Sequence, residues 1–137
     1  MINSFYYIDM INAVIIDDEQ ESVTSLTWDL DKYQALLSIR NTFTDPYKAI
    51  EYLKIEAIDL VFLDIEMPAM DGFEFLDYLE DRNFQVVFVT AYDQYAIKAI
   101  KSEAFDYILK PVDQDELDEV IKKINNKIQK NNINDHL

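Results

Sequence analysis

The chain of 137 residues has no cysteine, one glycine, three prolines, and only 12 basic residues against 27 acidic ones. Each shortage excludes something. Without cysteine there is no disulfide framework, no thiol nucleophile and no zinc–thiolate site, and the composition fits a reducing cytosol, so a cytoplasmic location is expected. Average usage would supply roughly ten glycines in a chain of this length. With one, there is no Gly-rich loop of the P-loop or dinucleotide-binding kind to cradle phosphate with backbone amides. A formal net charge of −15 gives no electrostatic reason to bind nucleic acid or an anionic membrane surface. No apolar run approaches the roughly 18 residues a membrane span needs. What is present is about one domain of chain, half of it apolar, which is enough for one packed core. Its chemistry must come from carboxylates, hydroxyls and a few lysines.

Short apolar runs alternate with amphipathic segments along the whole length. Ala13-Val14-Ile15-Ile16 is apolar at every position, as a strand buried on both faces should be, and it stops at Asp17-Asp18-Glu19. Val23, Leu26 and Leu30 carry the helical spacing that follows, and a weaker strand lies near Leu36 to Phe43. Asp45 as N-cap and Pro46 at the first helical position open a helix with Ala49, Ile50 and Leu53 inward. The third strand, Leu60 to Leu63, ends at Asp64. A loop with Met67-Pro68 and Met70-Asp71-Gly72 leads to a helix carrying Phe73, Leu76 and Leu79. The fourth strand, Val86 to Val89, ends at Thr90 and precedes a helix with Ile97 and Ile100; the fifth, Tyr107 to Leu109, ends at Lys110-Pro111. The last helix opens at Asp113 with Glu116 three residues on, a capping-box pattern, and buries Leu117, Val120, Ile121, Ile124 and Ile128. Its lysines at 122, 123, 127 and 130 follow the helix dipole. Gly72 falls where a tight loop-to-helix turn would use backbone freedom. Residues 1–10 read as an N-terminal extension, and residues 131–137 as a polar, frayed tail or the start of a linker.

Five strand–helix units in alternation predict an α/β fold: a doubly wound parallel sheet with helices on both faces. In such a sheet the functional crevice lies outside the carboxyl ends of the strands. Those ends carry Asp17-Asp18, Asp64, Thr90 and Lys110. Three carboxylates brought together repel one another and require a counter-charge. A hard divalent ion with oxygen ligands, Mg²⁺, suits them. The set amounts to an acidic metal pocket with a carboxylate nucleophile and two groups able to hold phosphoryl oxygens.

Asp17-Asp18-Glu19, Leu63-Asp64-Ile65-Glu66-Met67-Pro68 with Met70-Asp71-Gly72, Val89-Thr90-Ala91, and Tyr107-Ile108-Leu109-Lys110-Pro111 together resemble the receiver domain of two-component response regulators, over about residues 11–130. Thr90-Ala91-Tyr92 and Ala104-Phe105-Asp106-Tyr107 further resemble receivers that precede a LytTR-type DNA-binding domain. The resemblance implies a flavodoxin-like five-stranded sheet of order 2-1-3-4-5. It implies that Asp64 accepts a phosphoryl group from a sensor histidine kinase or from acetyl phosphate. Asp18 and Asp64 would ligate Mg²⁺ by carboxylate, Asp17 would act largely through water, and the backbone carbonyl of Glu66 would complete the protein ligands. Lys110 would pair with phosphoryl oxygens and precede a cis proline. Thr90 and Tyr107 would act as switch residues, Thr90 moving to the phosphoryl group and Tyr107 turning inward behind it. Glu66 and Tyr92 stand where the family tunes phosphoryl lifetime. The face of the fourth helix, fifth strand and fifth helix would make a homodimer, with transcription regulated by an effector domain outside this chain. Many receivers have Gly-Ala before the fifth strand; here it is Glu103-Ala104.

Blander readings stand beside these. The acids could be solvated strand ends or N-caps, Met67 and Met70 gap-fillers, and Tyr95, Ile97 and Ile100 ordinary core. His136, on the polar tail, reads as inert. An alternative function is a Mg²⁺-dependent phosphatase or phosphotransferase acting through an aspartyl-phosphate. A haloacid-dehalogenase-type enzyme would want Asp, however, where Glu66 stands. A nucleotide- or flavin-binding module would want Ser, Thr or Gly where Asp17-Asp18-Glu19 would repel phosphate.

Overall fold

The computed structural model describes residues 10–135. Strands β1 (Ile11–Ile16), β2 (Leu37–Phe43), β3 (Leu60–Leu63), β4 (Gln85–Thr90) and β5 (Asp106–Leu109) alternate with helices α1 (Gln20–Leu30), α2 (Pro46–Ile55), α3 (Gly72–Asp77), α4 (Ala96–Lys101) and α5 (Gln114–Asp135). One 3-10 turn, Asp31–Tyr33, follows α1. All four strand pairs are parallel, in the order β2-β1-β3-β4-β5. This is the doubly wound, flavodoxin-like order expected, and it puts β1, β3 and β4 in the interior of the sheet.

The two-residue strand period divides the core. Ala13, Ile15, Leu60, Phe62, Val87 and Val89 point to one face, where α1 and α5 bury Val23, Leu26, Leu117, Ile121 and Ile124. Val14, Ile16, Val61, Leu63, Val86 and Phe88 point to the other, against Ala49, Ile50, Phe75 and Leu76 of α2 and α3. Apolar residues are therefore required on both sides, which is why residues 13–16 of β1 and all of β3 read as unbroken apolar runs. β2 lies at an edge, half-exposed, and its register against β1 slips between Ala13 and Val14.

Helix boundaries follow their caps. Asp45 Oδ1 accepts from the Tyr47 amide at 2.9 Å with Pro46 next to it, as expected. At α5 the Asp113 carboxylate accepts from the Glu116 amide at 2.9 Å. A full capping box sits instead at α3: Asp71 accepts from the Phe73 and Glu74 amides while Glu74 accepts from the Asp71 amide. α3 and α4 are only six residues long. Leu79 is buried in the turn after α3, outside the helix expected to carry it.

On α4 only Ala99 is buried; Ile97 and Ile100 are 71% and 75% exposed, so the core reading of that pair is corrected. The pair sits on the outer side of a short helix whose packing is set by Ala99 and the adjoining Tyr95. α4 ends in a Schellman motif, with Ala104 N–H donating to Ala99 and Glu103 N–H to Ile100. Glu103 takes the left-handed position at φ 64°. α5 continues to Asp135, so residues 131–135 are helical where a frayed tail was expected. Of the expected N-terminal extension only Met10 is described, and His136 lies outside the described residues. Among the described residues no helix is long and apolar enough to cross a membrane.

Candidate functional site

The parallel ladders run on past the strands and carry the acids into place. Asp17 N–H donates to Phe43 carbonyl and Asp64 N–H to Ile16 carbonyl, both at 3.0 Å, and Lys110 N–H to Thr90 carbonyl at 2.8 Å. Each strand end is thus pinned to its neighbour, and the functional side chains emerge at one edge. Asp17, Asp18 and Asp64 each offer a carboxylate oxygen within 4.8 Å of the others. Asp17 and Asp64 are buried, at 5% and 6% exposure, and Thr90 is fully buried.

Lys110 supplies the counter-charge. Its Nζ lies 2.7 Å from Asp17 Oδ2 and 3.6 Å from Asp64 Oδ2, and donates to Ser22 Oγ at 3.2 Å. Burial alone would lower the lysine pKa, but the Asp17 hydrogen bond and the charges of Asp64, Asp17 and Glu19 raise it, so the ammonium stays charged. Asp64 is pushed up from the usual carboxylate range, first by burial and then by the Asp17 charge. Lys110, the Ile65 amide and the nearby Thr90 hydroxyl oppose the rise. Asp64 Oδ1 accepts from Ile65 N–H at 2.7 Å. The Thr90 hydroxyl makes no well-formed hydrogen bond. Asp17 has both oxygens engaged, Oδ1 by Glu19 N–H and Oδ2 by Lys110. The Lys110–Pro111 peptide is cis, as expected.

Gly72 is needed here, but not for the reason expected. Its φ is not positive. A Cβ at this position would lie 2.7 Å from the Asp64 carbonyl oxygen, 3.1 Å from Phe88 and 3.2 Å from Ile65 Cα. Close approach of α3 to the chain at Asp64, rather than an unusual backbone angle, excludes a side chain.

Above the acids, an opening of about 640 Å³ is lined by Asp18, Asp64, Glu66, Met70, Tyr92, Tyr95 and Lys110, among others. Met67 and Met70 are buried, as gap-fillers should be. The Tyr107 hydroxyl donates to the Tyr92 carbonyl, and its half-buried ring lies 6.4 Å from Phe88. The Glu66 side chain accepts a hydrogen bond from the Tyr95 hydroxyl at 2.7 Å. Two members of the site escaped sequence reading. Ser22 lies one turn into α1, and nothing in the local pattern ties it to a lysine 88 positions away. The Tyr95–Glu66 bond likewise joins two loops that share no periodicity. The Asp71 capping box also went unread, although Asp-x-x-Glu before an apolar run is its signature.

Three hard-oxygen donors around a cavity, only partly offset by one ammonium and bordered by a buried hydroxyl, form a site for a small cation and an oxyanion. The sequence profile of the response regulator receiver domain matches residues 13–122, and the chain belongs to that family. Among curated relatives, an uncharacterised response regulatory protein of Vibrio parahaemolyticus is 40% identical over 132 residues, covering 93% of this chain and 53% of that protein. The transcriptional regulatory protein YpdB of Escherichia coli is 32% identical over 117 residues, covering 83% and 47%. The chain thus spans about half the length of the curated relatives it matches. Of solved structures, the REC domain of the response regulator AraT from Geobacillus stearothermophilus is similar with a TM-score of 0.81 and 27% identity, covering 90% of this chain and 99% of that one. The CheX–CheY–BeF3–Mg²⁺ complex from Borrelia burgdorferi gives 0.73 and 28%, covering 83% and 88%.

Proposed function

We propose that this receiver domain is a phosphorylation-dependent switch in which Asp64 is the phosphoacceptor. The observation that carries the reading is the placement of Asp64: buried at the end of β3, within 4.8 Å of the Asp17 and Asp18 oxygens and 3.6 Å from Lys110 Nζ. A carboxylate oxygen of Asp64 attacks phosphorus, the bond from phosphorus to the donor's leaving group breaks, and that group departs as acetate or as a kinase histidine. Lys110 holds a phosphoryl oxygen, and Thr90, with a hydroxyl free to donate, takes another. Tyr107, tied to the Tyr92 carbonyl in the loop after β4, is placed to follow a movement of that loop.

The donor set fits Mg²⁺: carboxylate oxygens only, clustered and partly buried. Asp18 and Asp64 would hold it directly, with the Glu66 backbone carbonyl. Asp17 would act through water, since its own oxygens are taken by Lys110 and Glu19 N–H. When bound, the ion supplies charge neutralisation between carboxylate and phosphoryl oxygens. The Mg²⁺ and BeF3 named with the Borrelia burgdorferi protein support this assignment.

The donor would be a sensor histidine kinase in the cytoplasm. The output would be transcriptional, through an effector of the LytTR type outside this chain, in keeping with the name and greater length of YpdB. Homodimerisation through α4, β5 and α5 is supported by the exposed Ile97, Ile100 and Leu109. A surface this acidic gives the chain itself no means of holding nucleic acid. The decisive experiment is incubation with Mg²⁺ and acetyl phosphate, read by intact mass. One added phosphoryl group on the wild type and none on Asp64→Ala is expected, and equal labelling of the two refutes the assignment.

A further inference from the structure

At the amino ends of β3 and β4, the opposite end of the sheet from Asp64, two loops enclose a groove of about 640 Å³. One wall is the α2–β3 loop and the other the stretch between α3 and β4. Leu53 and Leu79, both buried, and the half-buried Ile58 and Phe84 supply its apolar lining. Tyr78 also lines it and is 52% exposed; Ile55, between the lining residues Lys54 and Glu56, is 81% exposed. Both walls are braced. Asp59 Oδ2 accepts from Asn12 N–H, and Asp59 N–H donates to the Asn12 carbonyl, each at 2.8 Å. Arg82 Nη1 donates to the Leu76 and Leu79 carbonyls at 3.3 and 3.2 Å. A groove held in shape this way loses little freedom when it is filled.

The charge around the groove is one-sided. Glu56, Asp77, Glu80 and Asp81 are exposed along it, and among the described residues none of them is in an ion pair. Asp77 closes α3, whose last turn has no basic residue to offset the negative end of its dipole. The cations lining the groove are Lys54 and Arg82, and Arg82 is turned onto carbonyls of its own loop. Acids alone would be served by water. Acids around an apolar lining, with Ile55 and Tyr78 standing out beside it, complement a ligand that is both cationic and apolar.

We propose that this groove docks a basic, amphipathic segment of a partner protein. One aliphatic or aromatic side chain of that segment enters between Leu53, Leu79 and Phe84, and lysines or arginines beside it meet the acids of the rim. The groove lies roughly 16 Å from Asp64 along β3, so such a partner leaves the acidic pocket open, and the proposal is independent of the phosphoacceptor reading. A second copy of this chain is a poorer occupant. Its basic stretch, in α5, exposes Lys122, Lys123, Asn126, Lys127 and Lys130, with no apolar side chain among them, and each copy carries a net charge of −15.

The probe is a synthetic peptide with blocked ends and two lysines on each side of a leucine, compared with the same peptide carrying alanine for leucine. Binding to the whole chain is titrated by amide NMR shifts, which also locate it. The leucine peptide should shift residues 53–59 and 77–84. Alanine for leucine should weaken binding about tenfold, the scale of one buried aliphatic side chain. Asp77→Asn, Glu80→Gln and Asp81→Asn together should also weaken it about tenfold, the scale of three exposed charge pairs. Glu21→Gln, Asp115→Asn and Glu119→Gln together make the same change of charge at exposed positions elsewhere, and should leave affinity unchanged. Equal losses in the two triple variants overturn the proposal, because they would reflect the general pull of an acidic surface. Shifts confined to other residues, or equal affinity for the two peptides, overturn it as well. A dimer of the free protein that sedimentation shows to be abolished by the Asp77, Glu80 and Asp81 substitutions overturns it in favour of a second copy.

Discussion

Gly72→Ala isolates one steric demand of the site. The new methyl group would meet the Asp64 carbonyl oxygen at 2.7 Å and Phe88 Cε1 at 3.1 Å, where a carbon–carbon contact is comfortable at about 3.5–4.0 Å. The oxygen belongs to backbone and cannot rotate aside. The loop has little room to retreat, because Gly72 N–H donates to the Ile65 carbonyl at 2.8 Å and Asp64 N–H is held by β1. Overpacking of this kind costs about 1–3 kcal/mol. Replacing glycine by alanine in a helix returns up to about 1 kcal/mol, and less at a first helical residue. The net expectation is a loss of about 1–2 kcal/mol. For a domain of this size that lowers Tm by roughly 3–8 °C, and it lowers the urea midpoint with an unchanged slope. Because the displaced atom is the carbonyl of the proposed acceptor, loading of Asp64 by acetyl phosphate should slow as well. A Gly72→Ala protein as stable as wild type, or more so, would refute the steric argument and return the glycine to the role of a flexible turn.

Asp64→Asn, measured without Mg²⁺, should be more stable than wild type at pH 7. The sign follows from the raised pKa of Asp64. Ionisation is harder in the folded state, so the Asp64 contribution to stability is full below the unfolded value of about 4 and is lost as pH rises through the folded one. The advantage of Asn should therefore shrink toward pH 4 in urea titrations, and a less stable variant at pH 7 would contradict the burial argument. Mg²⁺ at a hundred times its dissociation constant should stabilise the wild type by about 2.7 kcal/mol. In thermal melts Asp18→Ala should abolish most of that gain. Glu103→Gly should stabilise by about 0.5–1 kcal/mol, because it removes a side chain from a left-handed position; an unchanged melting temperature would count against strain there.

Much of this was legible in the chain because its cause is local. Unbroken apolar runs at 13–16 and 60–63 require burial on two faces, and the abrupt acids after them mark the strand ends that parallel topology brings together. Asp45-Pro46 announces a helix start by its own chemistry. What was not legible depends on neighbours distant in sequence. Ile97 and Ile100 have inward spacing on paper. Yet α4 is too short to bury a full stripe, and Ala99 with Tyr95 decides which side faces in. Gly72 could be recognised as necessary but not why, since the clashing atom lies eight residues back on another element. Glu103 occupies a backbone region that its side chain disfavours, so no propensity argument would place it there. The Tyr95–Glu66 bond depends on the packing of five rings contributed by residues 73 to 107.

The ion pair between Lys110 and Asp17 spans 93 positions, and this has a consequence in time. At about 5–20 residues per second on the ribosome, Lys110 is made roughly 2–9 seconds after Asp64. Until then Asp17 and Asp64 lack the ammonium that stands between them in the folded domain. Contacts this distant in sequence also place the sheet among slower-folding topologies. On the proposed reading of Asp64, competence to receive a phosphoryl group arrives only when Lys110, just past the last strand, is in place beside it.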